Sequence, residues 1–158
     1  MAGIGPVAKV KQDVSAVVQH YSGLSRAVLE YSLVMKRMVD AAKKPGFSEF
    51  SWEPLAKFVA VGEFERVGNF LEVMSWRDYI AFLTKWATGS EWECSFKRIS
   101  ESDRVVFLEL EERSRVGEHE SIVNSCSIYE FNDLGKLRHL DIYLQMKPVP
   151  PEMLKAYA

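Results

Sequence analysis

At 158 residues, 47% of them hydrophobic and 27% charged, the chain is long enough to bury a core of its own and has the composition of an ordinary globular protein. A formal net charge of −2 and a pI of about 6.0 leave no basic footprint for nucleic acid. No apolar run approaches the length that spans a bilayer, and residues 1–6 lack a charged stretch followed by an apolar one, so neither a membrane span nor a secretory leader is expected.

Val7, Val10, Val14, Val17, Val18 and Tyr21 recur at three-and-four spacing and predict a first helix over 6–21, with Pro6 suited to its first turn. Gly23 interrupts. Leu24, Ala27, Val28, Tyr31, Val34, Met35 and Met38 give the buried stripe of a second helix over 24–42. Lys43 and Lys44 suit the negative end of its dipole, and Pro45-Gly46 stops it. A short third helix begins at Ser51, tolerates Pro54 in its first turn and buries Leu55, Phe58 and Val59. An edge strand over 61–68 follows. Ser75 with Asp78 three residues on is a capping-box start, and the helix it opens carries Trp76, Tyr79, Ile80, Leu83 and Trp86 on one side before Gly89.

Four β-type runs then follow, over 92–99, 104–115, 121–131 and 137–146, joined by turn-forming stretches around Ser102-Asp103, Gly117 and Asn132–Gly135. In the last run Leu140, Ile142, Leu144 and Met146 share one parity, and His139, Asp141, Tyr143 and Gln145 the other. Helices first and an antiparallel meander after predict an α+β fold with one curved sheet. The tail, 147–158, with Pro148, Pro150 and Pro151, cannot extend that sheet. No repeat or linker divides the chain, so a single domain over 1–158 is expected. Cys94 and Cys126 both fall in strands without a metal spacing. They read as small buried thiols of a reducing, cytoplasmic setting, a cross-strand disulfide being the weaker alternative.

The stretches Phe107–Arg115 and Ile128–Tyr143, the latter with Tyr129-Glu130-Phe131, Gly135-Lys136-Leu137 and Asp141-Ile142-Tyr143, resemble the closing hairpin of the NTF2-like superfamily. That superfamily includes ketosteroid isomerases, SnoaL-type polyketide cyclases and limonene-epoxide hydrolases. The resemblance spans roughly 24–146 and implies a cone of helices packed on a curved, mainly antiparallel sheet, with residues 1–23 as an extra N-terminal helix. It also implies a mostly apolar pocket for a small hydrophobic molecule, worked on by general acid–base chemistry without a dissociable cofactor. The epoxide-hydrolase branch places an Arg between two carboxylates. By position Arg113 matches the Arg and Asp141 one carboxylate, but the second falls on Arg115, so Glu111 would have to replace it.

The candidate catalytic residues are therefore Asp141, Arg113 and Glu111. His139, Tyr143, Tyr129, Phe107, Tyr79 and Trp86 are candidate pocket-lining residues. Each also has a plainer reading. Asp141 and His139 could lie on a wetted strand parity, and Glu109, Glu111, Arg113 and Arg115 could be a ladder of solvated pairs. Tyr79 and Trp86 could be core, and Tyr129 and Tyr143 sheet aromatics. Glu118-His119-Glu120 does not converge on one ion, and no metal site is expected. The alternative to an enzyme is a ligand-binding or dimerisation module. Its apolar strand parity (Val106, Leu108, Leu110, Leu140, Ile142, Leu144) would then be a dimer face, and a homodimer is expected on either reading.

Overall fold

The computed structural model describes residues 11–148 and 150–155. Asp13 caps a one-turn helix, α1 (Val14–Val17), its carboxylate accepting from the Ser15 amide at 2.8 Å. The predicted helical start at Pro6 lies outside the described residues. Just before α1 the chain is extended instead: the Phe96 amide donates to the Gln12 carbonyl at 2.7 Å and binds this segment to a strand edge. A 3-10 turn, Val18–His20, leads to α2 (Gly23–Ala41). A second 3-10 turn, Glu49–Trp52, runs into α3 (Glu53–Ala56) with Pro54 in its first turn. The edge strand is shorter than predicted. It is β1 (Glu65–Val67), and it forms an unforeseen hairpin with β2 (Val73–Ser75).

Helix α4 (Trp76–Thr88) starts at the expected capping box: the Asp78 amide donates to Ser75 Oγ at 3.2 Å, and the Ser75 amide to Asp78. The meander follows as β3 (Ser90–Ser102), β4 (Val105–Val116), β5 (His119–Phe131) and β6 (Leu137–Gln145). A one-turn helix, α5 (Pro151–Leu154), ends the described chain. The sheet order is β2-β1-β6-β5-β4-β3, antiparallel except for the β1–β6 pair. Register breaks at Phe96/Arg98 in β3 and Glu130/Phe131 in β5 bend the sheet, as bulges do. The result is an α+β cone.

Strand parity decides which face the helices cover. Val106, Leu108 and Leu110 on β4, Tyr129 on β5 and Leu140 on β6 are all buried, and the register places them on one face. Tyr31 of α2 meets Tyr129 edge-on, with ring centroids 5.8 Å apart, so this face looks toward the helices. The core fills the space between: Val28, Leu29 and Val39 of α2, Ile80, Leu83 and Ala87 of α4, and Trp52 and Leu55 from the short helices. Trp52 Nε1 donates to Thr84 Oγ1 at 2.9 Å and ties those helices to α4. The apolar parity expected as a dimer face is thus the concave lining instead. Its side chains could not remain in water while a helix layer needed an apolar floor. Cys94 lies on the concave face and Cys126 on the outer one, both free, so the alternative disulfide does not form. Among the described residues no helix is long and apolar enough to cross a membrane.

Candidate functional site

The concave face is apolar apart from a few polar side chains, and those are where chemistry is possible. At one end Arg66 of β1 lies in the same row as Leu140, Tyr129 and Val106 and points under the helices. It is buried, its guanidinium carbon 5.0 Å from the centre of the Tyr79 ring. One of its nitrogens, Nη1, reaches Glu72 Oε1 at 3.4 Å; both side chains are buried, and Glu72 also accepts from the Phe70 amide through Oε2 at 2.9 Å. Arg66 Nε has no hydrogen-bond partner.

Tyr79 of α4 lies against this guanidinium, Tyr31 of α2 feels its charge, and Tyr129 of β5 meets Tyr31 edge-on. Phe58 meets Tyr31 edge-on at 5.9 Å, and Phe64 stacks on Tyr79 at 6.0 Å. All three phenols are buried, and burial pushes the pKa of each above the ordinary tyrosine value. They therefore remain protonated at neutral pH and can donate a hydrogen bond. Tyr31 Oη makes no hydrogen bond of good geometry, its nearest polar neighbour being the Tyr79 hydroxyl.

At the other end of the face stands Glu112. It pairs in register with Cys94 and Val123, on the parity of Leu110, and accepts from Trp92 Nε1 at 2.9 Å. After burial, the charge of Glu112 is what most raises the Cys94 thiol, which is pushed up to about 12. The same charge contributes to the upward shifts of Tyr79 and Tyr129, whereas Arg66 acts the opposite way on Tyr31 and Tyr79. Tyr79 thus feels both the cation and the carboxylate. Ser125, diagonal to Glu112 across β4 and β5, is buried with Oγ unpartnered.

The residues singled out from the sequence divide between the two faces. Tyr79 and Tyr129 are on the enclosed side, and Trp86 packs partly buried against the core. Asp141, Arg113, Glu111, His139, Tyr143 and Phe107 are on the outer face, opposite to expectation, because Leu140, Ile142, Leu108 and Leu110 took the concave side. Nor are the three catalytic candidates brought together. Arg113 donates to Glu111 at 2.9 Å and to Ser95 at 3.0 Å, and Lys11 also reaches Glu111 at 2.9 Å. The Lys11 ammonium and then the Arg113 guanidinium hold the Glu111 carboxyl below the usual range. Asp141, with β5 between it and Arg113, bonds His139 at 2.8 Å, and His139 Nδ1 lies 3.5 Å from Glu65. Arg115 pairs with Glu91 and Arg98 with Glu109. Among the described residues no cluster of His, Cys, Asp or Glu is placed to hold a metal ion.

Sequence reasoning missed Glu112 and Arg66. The signal for Glu112 was its parity: it is the acid that ends the run Val106, Leu108, Leu110. Arg66 gave no comparable signal in a three-residue strand.

No family model matches the chain, and no curated protein matches it. Solved structures do. An NTF2-like protein of unknown function from Cytophaga hutchinsonii superposes with a TM-score of 0.51 at 13% identity, covering 79% of this chain and 92% of that one. An LEH-like epoxide hydrolase of M. tuberculosis gives 0.53 at 14% identity over 79% and 90%. A steroid delta-isomerase of Pseudomonas aeruginosa gives 0.54 at 16% identity over 87% of each chain. Likeness at this level of identity is likeness of fold.

Proposed function

From the NTF2-like fold as premise, we propose that the chain binds a small, largely apolar carbonyl compound between its helices and the concave sheet face. There it moves a proton beside the carbonyl, with isomerisation or ring closure as the outcome. The observation that supports this reading is the set of buried polar atoms left without partners on that face, Tyr31 Oη, Arg66 Nε and Ser125 Oγ. A native interior satisfies nearly all such atoms, and three on one enclosed surface favour a polar guest.

Glu112 as carboxylate takes the proton from the carbon next to the carbonyl. The electron pair moves onto the carbonyl oxygen, where a buried phenol O–H of Tyr79 or Tyr129 donates to the growing negative charge. Return of the proton to a different carbon gives the isomer; attack of the enolate carbon on a second carbonyl closes a ring. Epoxide hydrolysis is less well served, since it asks for an acid and a base with separated pKa values, and of the two carboxylates here Glu72 is tied to Arg66, which leaves Glu112.

The test is turnover of a panel of β,γ-unsaturated ketones and of small epoxides by the wild type and by Glu112→Gln. General-base loss should lower ketone turnover by about 10²–10⁴-fold. Ligand binding without turnover in the wild type would leave the non-catalytic module, and diol formation that survives Glu112→Gln would overturn the assignment of the base. A second copy of the chain is proposed to cover the outer face, where Phe107, Ile122 and Tyr143 stand exposed. Sedimentation as a clean 18.1 kDa monomer at micromolar concentration would remove it.

A further inference from the structure

Arg66 sets a demand that the acid–base reading does not use. A guanidinium carries five N–H donors in a plane, and in a buried position each one looks for an acceptor. Glu72 answers only in part. Its contact is long, 3.4 Å, comes through Nη1 alone, and its other oxygen is spent on the Phe70 amide. Nε is sealed from solvent with no partner, and so is the hydroxyl of Tyr31. Both are donors. The acceptor close to both is the Tyr79 hydroxyl, a single neutral phenolic oxygen shared between Tyr31 and Arg66 and far weaker than a carboxylate. Two unpaired donors beside an incompletely neutralised cation call for an oxygen acceptor that carries charge. A carboxylate meets an Arg edge with two oxygens at once.

We propose that the Arg66–Tyr31 end of the concave face is a carboxylate subsite, so that the molecule bound there is a small apolar acid whose carboxylate is held by Arg66 Nε–H and Tyr31 O–H. This rests on the proposed function for where the molecule lies and names its class: an oxo acid, with its carboxylate at Arg66 and its reacting carbonyl toward Glu112. Tyr79, on whose ring Arg66 lies, then stands beside the carboxylate end. The same donors could be met by an interior water or by a neutral carbonyl oxygen, and the experiment separates these.

Phenylbutyrate, its primary amide and the methyl ketone of the same skeleton are titrated calorimetrically into the wild type, into Arg66→Met made together with Glu72→Gln, and into Glu112→Gln. The double variant leaves no unpaired charge in the interior. The wild type is expected to prefer the carboxylate over both neutral analogues by about tenfold or more. The preference disappears in the double variant and survives in Glu112→Gln. Should the double variant not fold, Tyr31→Phe decides, because it keeps the ring and its packing: it is expected to lose part of the carboxylate preference while binding the amide as before. Equal binding of the three compounds, no binding of any, or a preference that survives loss of Arg66 overturns the subsite. A carboxylate preference in a protein that turns nothing over leaves the subsite standing and removes the catalytic reading. Ketone turnover that depends on Glu112, with no carboxylate preference, does the reverse.

Discussion

Replacing Tyr31 by Phe should make the protein more stable, against the usual direction of core substitutions. Tyr31 is 4% exposed, and its hydroxyl makes no hydrogen bond of good geometry. Burying a hydroxyl unpaired costs about 1–3 kcal/mol on the scale of protein mutational data. Phenylalanine removes that cost and keeps the ring, so the edge-on contacts with Phe58 and Tyr129 persist. The void left by one oxygen subtracts a fraction of the gain. A net stabilisation of about 1 kcal/mol is expected, or roughly 2–4 °C in Tm for a chain of this length. Calorimetry of the ligand-free protein reads it directly, and urea midpoints at unchanged m-value check it. A lower Tm would show that the hydroxyl is paired in solution, by water or otherwise. The orphan-donor argument for a bound guest would then fall with it. If Tm rises while phenylbutyrate binding weakens, the hydroxyl is being kept at the expense of stability for the sake of a ligand, the trade-off common at binding sites.

Gly68→Ala should be costly although the site is a turn: a Cβ there would meet Glu72 Oε1 at 1.6 Å and Arg66 Nη1 at 2.8 Å. The carboxylate must swing away, and breaking a buried pair costs about 3–5 kcal/mol; a urea midpoint within error of wild type would refute the burial of that pair. Alkali should unfold the protein in one cooperative step. Cys94 is raised from 9.0 to about 12, and the three buried tyrosines are raised as well. A raised folded-state pKa means that this stability is fully present below about pH 9 and is lost as pH climbs through about 12. Three of the six tyrosines should ionise, by ultraviolet difference absorbance, only together with loss of the far-ultraviolet helix signal. Earlier ionisation of all six would contradict their burial. Asp141→Asn, on the outer face, should leave phenylbutyrate binding and any ketone turnover unchanged; a large loss in either would put the chemistry back on the other side of the sheet.

Secondary structure was legible where periodicity was long. The second helix, expected over 24–42, forms as Gly23–Ala41, and the four strands of the meander appear within a few residues of their predicted ends. The short pieces were less so. A three-residue strand such as β2 has no period to read. The extended backbone at Gln12 is imposed by pairing with Phe96, which overrides the valine spacing of its own segment. The facing of the candidate residues was misjudged for a single reason. Alternation tells that two parities differ, but not which one faces the helices, and a polar parity with an acid, a base and a histidine invites a catalytic reading. In β6 the apolar set Leu140 and Ile142 supplies the floor of the core, so Asp141 and His139 turn outward. Once that face is fixed, Glu112 is the acid on the concave side, and it differs from Glu111 by one position along the same strand.

The N-terminus of α2 shows how late its own support arrives. Ser22 stands at the N-cap but makes no side-chain cap. The work is done by Glu101 at the far end of β3, whose Oε1 accepts from both the amide and the hydroxyl of Ser25 at 2.8 Å, across 76 residues of sequence. The first turn of the longest helix among the described residues is therefore completed only by a strand that follows it far along the chain. That contact closes a loop of 76 residues, about half of the 158-residue chain, so the fastening of helix to sheet carries a long loop-closure entropy.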